Sequence, residues 1–249
     1  MDESRDPARD ELPVAARDAL AHALVAALAG ERAGAVLRAM VSVGRLPAGA
    51  ELPAPADAAG AAARAALRRA GLLGSPDAAD AEPGAADAAP GSRGAAPTRD
   101  VRLAPPWDAA ARERLGAYAD VVARARPGTT LGDALAHARL LFARDLEFEV
   151  HEVLEPFWRD ATGRERRLLQ GVIQAAVARY HLRRRNPRGA RVLAREAAVK
   201  LAGASSPWPD FALDEVASAA ERLAAWLESG AAGMAPDGPF RSDAPRDPP

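Results

Sequence analysis

Residues 147–160, EFEVHEVLEPFWRD, place four glutamates, a histidine and a tryptophan in fourteen positions of a chain otherwise rich in alanine. Wound at about 100° per residue, Leu146, Val150, Val153, Leu154 and Phe157 share one arc and form the core face of a helix over 146–159. His151, Glu155 and Trp158 lie together beside that face, whereas Glu149 and Glu152 fall farther round, toward solvent. Side chains four residues apart on a helix are roughly 5–6 Å from one another, so His151 and Glu155 can share a proton, a hydrogen bond or an ion.

The stretch 164–185 repeats the arrangement. Leu168, Leu169, Val172, Ile173, Ala176 and Tyr180 make its apolar face, and Gln170, Gln174 and His181 cluster at the border of that face. The short connection from Asp160 to Gly163 favours antiparallel packing of the two helices, which would bring their polar strips together. Gly171, Ala175 and Ala178 form a low ridge that a further helix can approach closely.

Outward from this pair the same helical period continues over 108–126, 131–143, 188–202 and 213–228. Thr130 is placed to cap the helix at 131 and Asp145 the one at 146, while Asn186 followed by Pro187 reads as an N-cap and first helical residue. Asp210 or Asp214 can start the last helix, whose Val216, Ala220, Leu223 and Leu227 form a stripe. No run of alternating polarity is long enough for a strand, so residues 106–230 are expected to be an all-α helical bundle.

The flanks are poorer. Residues 75–99 contain no Val, Ile, Leu, Met, Phe, Trp or Tyr; such a segment buries too little apolar surface to offset its ordering entropy, which predicts a disordered Ala/Pro/Gly-rich linker over 75–105. The Pro- and Gly-rich tail, 231–249, reads the same way. Residues 1–74 are expected to hold a small helical appendage, with helices at 14–29, 31–44 and 56–73. Its first helix sets Val14, Ala21, Leu24, Val25 and Leu28 near one face. His22 on this appendage reads as a surface or core-edge residue in the absence of convergent partners in the sequence, and His137, off the apolar face of its helix, as exposed.

Composition agrees with an all-α reading. Of 249 residues 49% are hydrophobic but only 4% aromatic, and alanine favours helix over strand. The absence of cysteine excludes disulfides, thiolate zinc sites and cysteine nucleophiles. A net charge of −1 gives the whole chain no pull on nucleic acid. The charged start MDESRDPARDEL lacks the form of an export signal, and the apolar run ALAHALVAALAG is too short to cross a bilayer, so a cytoplasmic location and no membrane partner are expected. Homo-oligomer formation is left open.

Phe148-Glu149, His151-Glu152, Leu154-Glu155, Trp158-Arg159, Gln170-Gly171, Ile173-Gln174-Ala175, Tyr180-His181, Asn186 and Gly189-Ala190, in this order and spacing, resemble the signature of domain-of-unknown-function family 309 (DUF309). The resemblance spans about 131–228 and implies a small all-α bundle of a kind found in bacteria and archaea. It implies no activity. Two departures stand out. Pro156 removes a helical N–H and disfavours helical geometry at Glu155, opening the helix to a kink. Arg185-Asn186 occupies the place where the family often has Gly-Asn, which implies a tighter or more strained turn.

The residue types support three functional readings. His151, Glu155 and His181 suit a divalent metal such as zinc, iron or manganese, or an acid/base pair, with Glu152, Gln170, Gln174, Trp158 and Asn186 as a supporting polar shell; a bound water would then serve a hydrolase-like reaction. HEVLE lacks the second histidine of H-E-x-x-H, which excludes a zinc protease of that type. Alternatively the cluster is a non-enzymatic network that fixes helix packing, since polar groups at a core border need partners for structural reasons alone. A third reading rests on charge: residues 164–200 hold eleven basic side chains against two acidic. In the Arg-rich segment 179–195, Arg183, Arg184 and Arg188 beside a helix N-terminus could hold a phosphate or nucleic acid. With Tyr180 alone nearby for stacking, nucleic acid is the weaker version. The enzyme class is not selected.

Overall fold

The computed structural model describes residues 12–44, 55–69, 71–74, 102–103 and 108–240. Among them the elements are α1 (Val14–Ala29), α2 (Glu31–Gly44), α3 (Ala58–Arg69), β1 (Leu73–Gly74), β2 (Arg102–Leu103), α4 (Asp108–Arg124), α5 (Leu131–Ala143), α6 (Glu147–Asp160), α7 (Gly163–Arg183), α8 (Pro187–Leu201) and α9 (Leu213–Glu228). The fold is all-α. Among the described residues, extended structure is confined to the antiparallel pairing of Leu73 with Leu103 and Gly74 with Arg102. Residues 102–103 therefore pair with a strand, where the sequence suggests linker; the rest of 75–105 lies outside the described residues.

The chain divides into two compact units, one of residues 1–23 and 34–119, the other of 24–33 and 120–249. The first unit buries Leu20, Leu37, Met40, Leu67, Leu115 and Tyr118. Residues 108–119 of α4 fall in this first unit, and Ala111, Leu115 and Tyr118 are buried. On α1 the expected Ala21, Leu24 and Leu28 are buried, but Val14 is exposed and Ala16 and Leu20 are buried as well.

In the second unit α7 packs against α6, α8 and α9, and α5 packs on α6. The predicted core positions Val150, Val153, Leu154, Leu168, Leu169, Val172, Ile173, Ala176, Val216, Leu223 and Leu227 are buried. Alanine makes close helix approach possible. Ala178, Ala190 and Ala194 join Leu223, Ala224 and Leu227 in one cluster of α7, α8 and α9. A Cβ on Gly171 would stand 2.7 Å from Leu201 Cδ2, so the low ridge of α7 does receive α8.

Local chemistry explains the helix ends. Thr130 caps α5 as expected, in a reciprocal box with Asp133. The Thr130 hydroxyl and amide hold the Asp133 carboxyl below its usual range, so this contribution is complete above the ordinary aspartate range and is lost as pH falls through the lowered value. Asn186 caps α8 by accepting the Gly189 N–H at 2.9 Å, with Pro187 in the first turn. Asp145 does not cap α6. It is left-handed, φ 57°, and its N–H and that of Leu146 bond back to Phe142 and Leu141, ending α5 in a Schellman turn. Nor does an aspartate side chain cap α9, which starts after Ala212 with Asp214 and Glu215 in its first turn. Pro156 sits inside α6 without ending it.

Arg185 closes α7 in the same way as Asp145 closes α5. Its φ is 53°, while Arg185 N–H and Asn186 N–H bond to Leu182 and His181. This is the position at which glycine carries no steric penalty. Arg185→Gly should therefore raise stability by about 1 kcal/mol, measured by urea denaturation, with little change elsewhere. A decrease would show that the strain is absent.

Residues 231–240, expected to begin a disordered tail, are tied into the second unit. Arg179 donates to the Pro236 carbonyl at 2.9 Å, Trp226 Nε1 to Ala232 at 2.9 Å, and Phe240 is buried. Residues 241–249 lie outside the described residues.

Candidate functional site

Helix α6 presents His151, Glu152 and Glu155 at its edge. His151 Nδ1 is 3.1 Å from Glu152 Oε1, and His151 Nε2 is 3.9 Å from Glu155 Oε2. A nitrogen of the imidazole and one oxygen from each carboxylate lie within 4.8 Å of one another, the only such group able to hold a metal ion among the described residues. All three side chains are part-buried. Glu155 also accepts from Arg159 at 2.7 Å. Glu152 is therefore not turned to solvent, as its position on the helical wheel suggested, but belongs to the cluster.

Beside the cluster an open groove of about 230 Å³ runs between helices. His151, Glu155 and Trp158 of α6 form one wall. Gln170, Ile173, Gln174 and Val177 of α7 form the other, with Leu193 of α8 completing it. The polar strips of α6 and α7 thus meet where the sequence placed them. Gln174 donates to Glu196 of α8 at 2.5 Å. Its own oxygen, and Trp158 Nε1, are buried and make no hydrogen bond. The groove is thereby flanked by one unmet acceptor and one unmet donor. Trp158 stacks under the Arg166 guanidinium at 4.4 Å, and Arg166 in turn donates to the carbonyls of Trp158 and Arg159, closing the end of α6.

His181 is not part of this site. Its Nδ1 lies 3.1 Å from Asn186 Nδ2, and a Cβ on Gly189 would stand 3.2 Å from it. It packs into the α7–α8 turn. Between the two imidazoles runs a series of ring contacts from His151 through Phe148 and Tyr180 to His181, with centroids 6.1, 5.7 and 6.1 Å apart. Asn186 accordingly supports the turn and not the cluster around His151.

The anion trio is also not assembled. Arg183 turns to α6, 2.7 Å from Asp145 and 3.1 Å from Glu147. Burial works against its charge, but these two carboxylates outweigh that effect and push its pKa up. Arg184 lies over the Tyr180 ring at 6.0 Å. Arg188 alone of the three is exposed without a partner among the described residues.

Sequence reasoning missed a buried charge network. Glu147 and Glu149 are buried, the second completely, although the wheel put Glu149 toward solvent. Glu147 lies 3.5 Å from Arg179, whose side chain is 14% exposed. Burial lowers the Arg179 pKa, with Glu147 opposing that shift. The spacing of Glu147, Arg179 and Arg183 over two antiparallel helices was the available signal. His137, expected to be exposed, is buried, with Nε2 2.8 Å from the Arg126 carbonyl. His22 is exposed as expected.

Comparison with known proteins agrees with this part of the chain. Residues 135–193 match the model of the family described as domain of unknown function (DUF309), a shorter span than the resemblance suggested. The chain is 49% identical over 47 residues to an uncharacterized protein, YpuF, of Bacillus subtilis (strain 168). That stretch is 18% of this chain and spans only 27% of the relative's length. No solved structure matches.

Proposed function

We propose that the second unit is a divalent-cation-binding domain whose ion sits on His151, Glu152 and Glu155 at the edge of the α6–α7 groove. One imidazole and two carboxylates suit zinc, iron or manganese and leave coordination positions for water. Held by His151, Glu152 and Glu155, such an ion would supply Lewis-acid chemistry suited to hydrolysis of a molecule in the groove.

The observation that carries this reading is where the cluster finds its partners. Among the described residues, His151 and Glu155 pair with side chains of α6 itself: Phe148, Glu152 and Arg159. A network that fixes helix packing must cross between helices. The crossing bonds belong to other residues, such as Gln174 with Glu196 and Arg183 with Glu147. The competing ion pair is also weak. Arg159 is 65% exposed, and pairs of this kind contribute about 0.3–0.5 kcal/mol, far less than a transition metal gains.

The test is metal analysis of the full chain purified without chelator, together with melting of stripped protein on adding zinc or manganese. The parent should carry about one ion per chain and melt higher with the metal. His151→Ala and Glu155→Gln should abolish both effects; His181→Ala should keep both. Parent protein without bound metal and without a melting shift would overturn the reading. Loss of binding in His181→Ala would restore the triad expected from sequence.

A further inference from the structure

Helix α8 has two faces. At about 100° per residue, Ala190, Ala194, Ala197 and Leu201 lie on one side, and all four are buried. Away from them, within about 100° of arc, lie Arg188, Arg191, Val192, Arg195 and Val199, and all five are exposed. The three arginines make no hydrogen bond, ion pair or ring contact among the described residues. The nearest acid on α8, Glu196, is held by Gln174 and Lys200.

The two valines are the second observation. Val192 and Val199 are 51% and 62% exposed, and they are two of the four large apolar side chains exposed among the described residues. With the arginines they form a regular seam: Arg188, Val192, Arg195, Val199, at intervals of four, three and four. That is the spacing by which one helix meets another through alternating positions of a heptad. It extends for roughly three turns.

We infer that the outer face of α8 docks a helix of a partner protein whose facing positions alternate carboxylates with aliphatic side chains. Each arginine would gain a counter-charge and each valine a covered surface. A phosphate backbone would satisfy the arginines but leave the valines in water. A second copy of α8 would bring the same cations and no carboxylate, leaving the arginines desolvated without a counter-charge. The residues are separate from the metal cluster and from the groove, so this inference is independent of the proposed function.

The experiment is a fluorescence-anisotropy titration of the full chain with three labelled probes. They are a synthetic helical peptide with Leu and Glu alternating at intervals of four and three, a peptide of identical composition in scrambled order, and a single-stranded uridine oligonucleotide. The periodic peptide should bind, and the scrambled one at least about tenfold more weakly, because charge is equal and only register differs. Arg188→Glu with Arg195→Glu should weaken the periodic peptide on the order of a hundredfold, since like charges then face each other. Val192→Ser with Val199→Ser should weaken it about tenfold. All four positions are exposed, so the melting temperatures of both variants should match the parent. No binding at low salt, equal binding of the scrambled peptide, displacement of the peptide by the oligonucleotide, or variants that bind like the parent would each overturn the inference.

Discussion

Glu147→Ala is expected to lower stability by about 3–5 kcal/mol, because it leaves Arg179 as a buried charge without its carboxylate. Glu147 is 3% and Arg179 14% exposed, so solvent screens this pair little. Arg179 keeps the Pro236 carbonyl, but a carbonyl dipole does not neutralise a guanidinium. Arg183 makes the contrast: it also touches Glu147, yet its side chain is 45% exposed and its removal leaves Glu147 with Arg179. Arg183→Ala should therefore cost less than about 1 kcal/mol. The double change Glu147→Leu with Arg179→Met removes both charges and fills the space, and should recover most of the loss. Urea denaturation measures all three. A Glu147→Ala protein as stable as the parent would show that the pair does not hold α6 to α7.

The reach of the sequence can be seen in the same two helices. Their core faces were legible because Leu, Val and Ile recur at the helical period with few interruptions, and because turn chemistry is local: Thr130, Asn186 and Pro187 act within three residues of themselves. The groove was legible too, since Glu155, Gln170 and Gln174 stand beside apolar stripes that must face each other. What a helical wheel gives is an angle about one axis. It does not say what covers the other sides, and so it sent Glu149 and Glu152 to solvent, although Glu149 is buried and the Glu152 side chain is only 16% exposed. Nor does it give position along the axis. His181 has the angle of Gln174 but sits in the last turn of α7, beyond Tyr180, where it meets Asn186 and not His151.

Asp145 was misread for a related reason. An aspartate ahead of a helix reads as an N-cap, but the preceding helix had first claim on it: the Schellman bonds to Leu141 and Phe142 fix its backbone in the left-handed region. Its carboxylate is then directed to Arg183. Local rules compete where two helices are separated by three residues, and the sequence does not rank them.

The tail offers the sharpest opposition between composition and structure. A disordered segment over 231–249 would make Phe240→Ala neutral. The structure instead requires a loss of about 3–5 kcal/mol, the usual cost of deleting a buried phenylalanine ring. Phe240 is 1% exposed, with its ring centroid 5.5 Å from Phe211 and 6.1 Å from Phe142 and the Arg139 guanidinium 5.6 Å above it. Its N–H donates to Glu215 at 3.0 Å, tying the segment to the first turn of α9. One aromatic residue in a stretch of Gly and Pro has no periodicity to announce it, which is why composition mistook an anchor for part of a tail. Phe240→Leu keeps most of the buried surface and should lose less than about 1.5 kcal/mol. Chemical denaturation of the two variants decides the matter: a large loss for alanine with a small one for leucine means the ring fills a core site, whereas two unchanged midpoints would return residues 231–240 to the solvent.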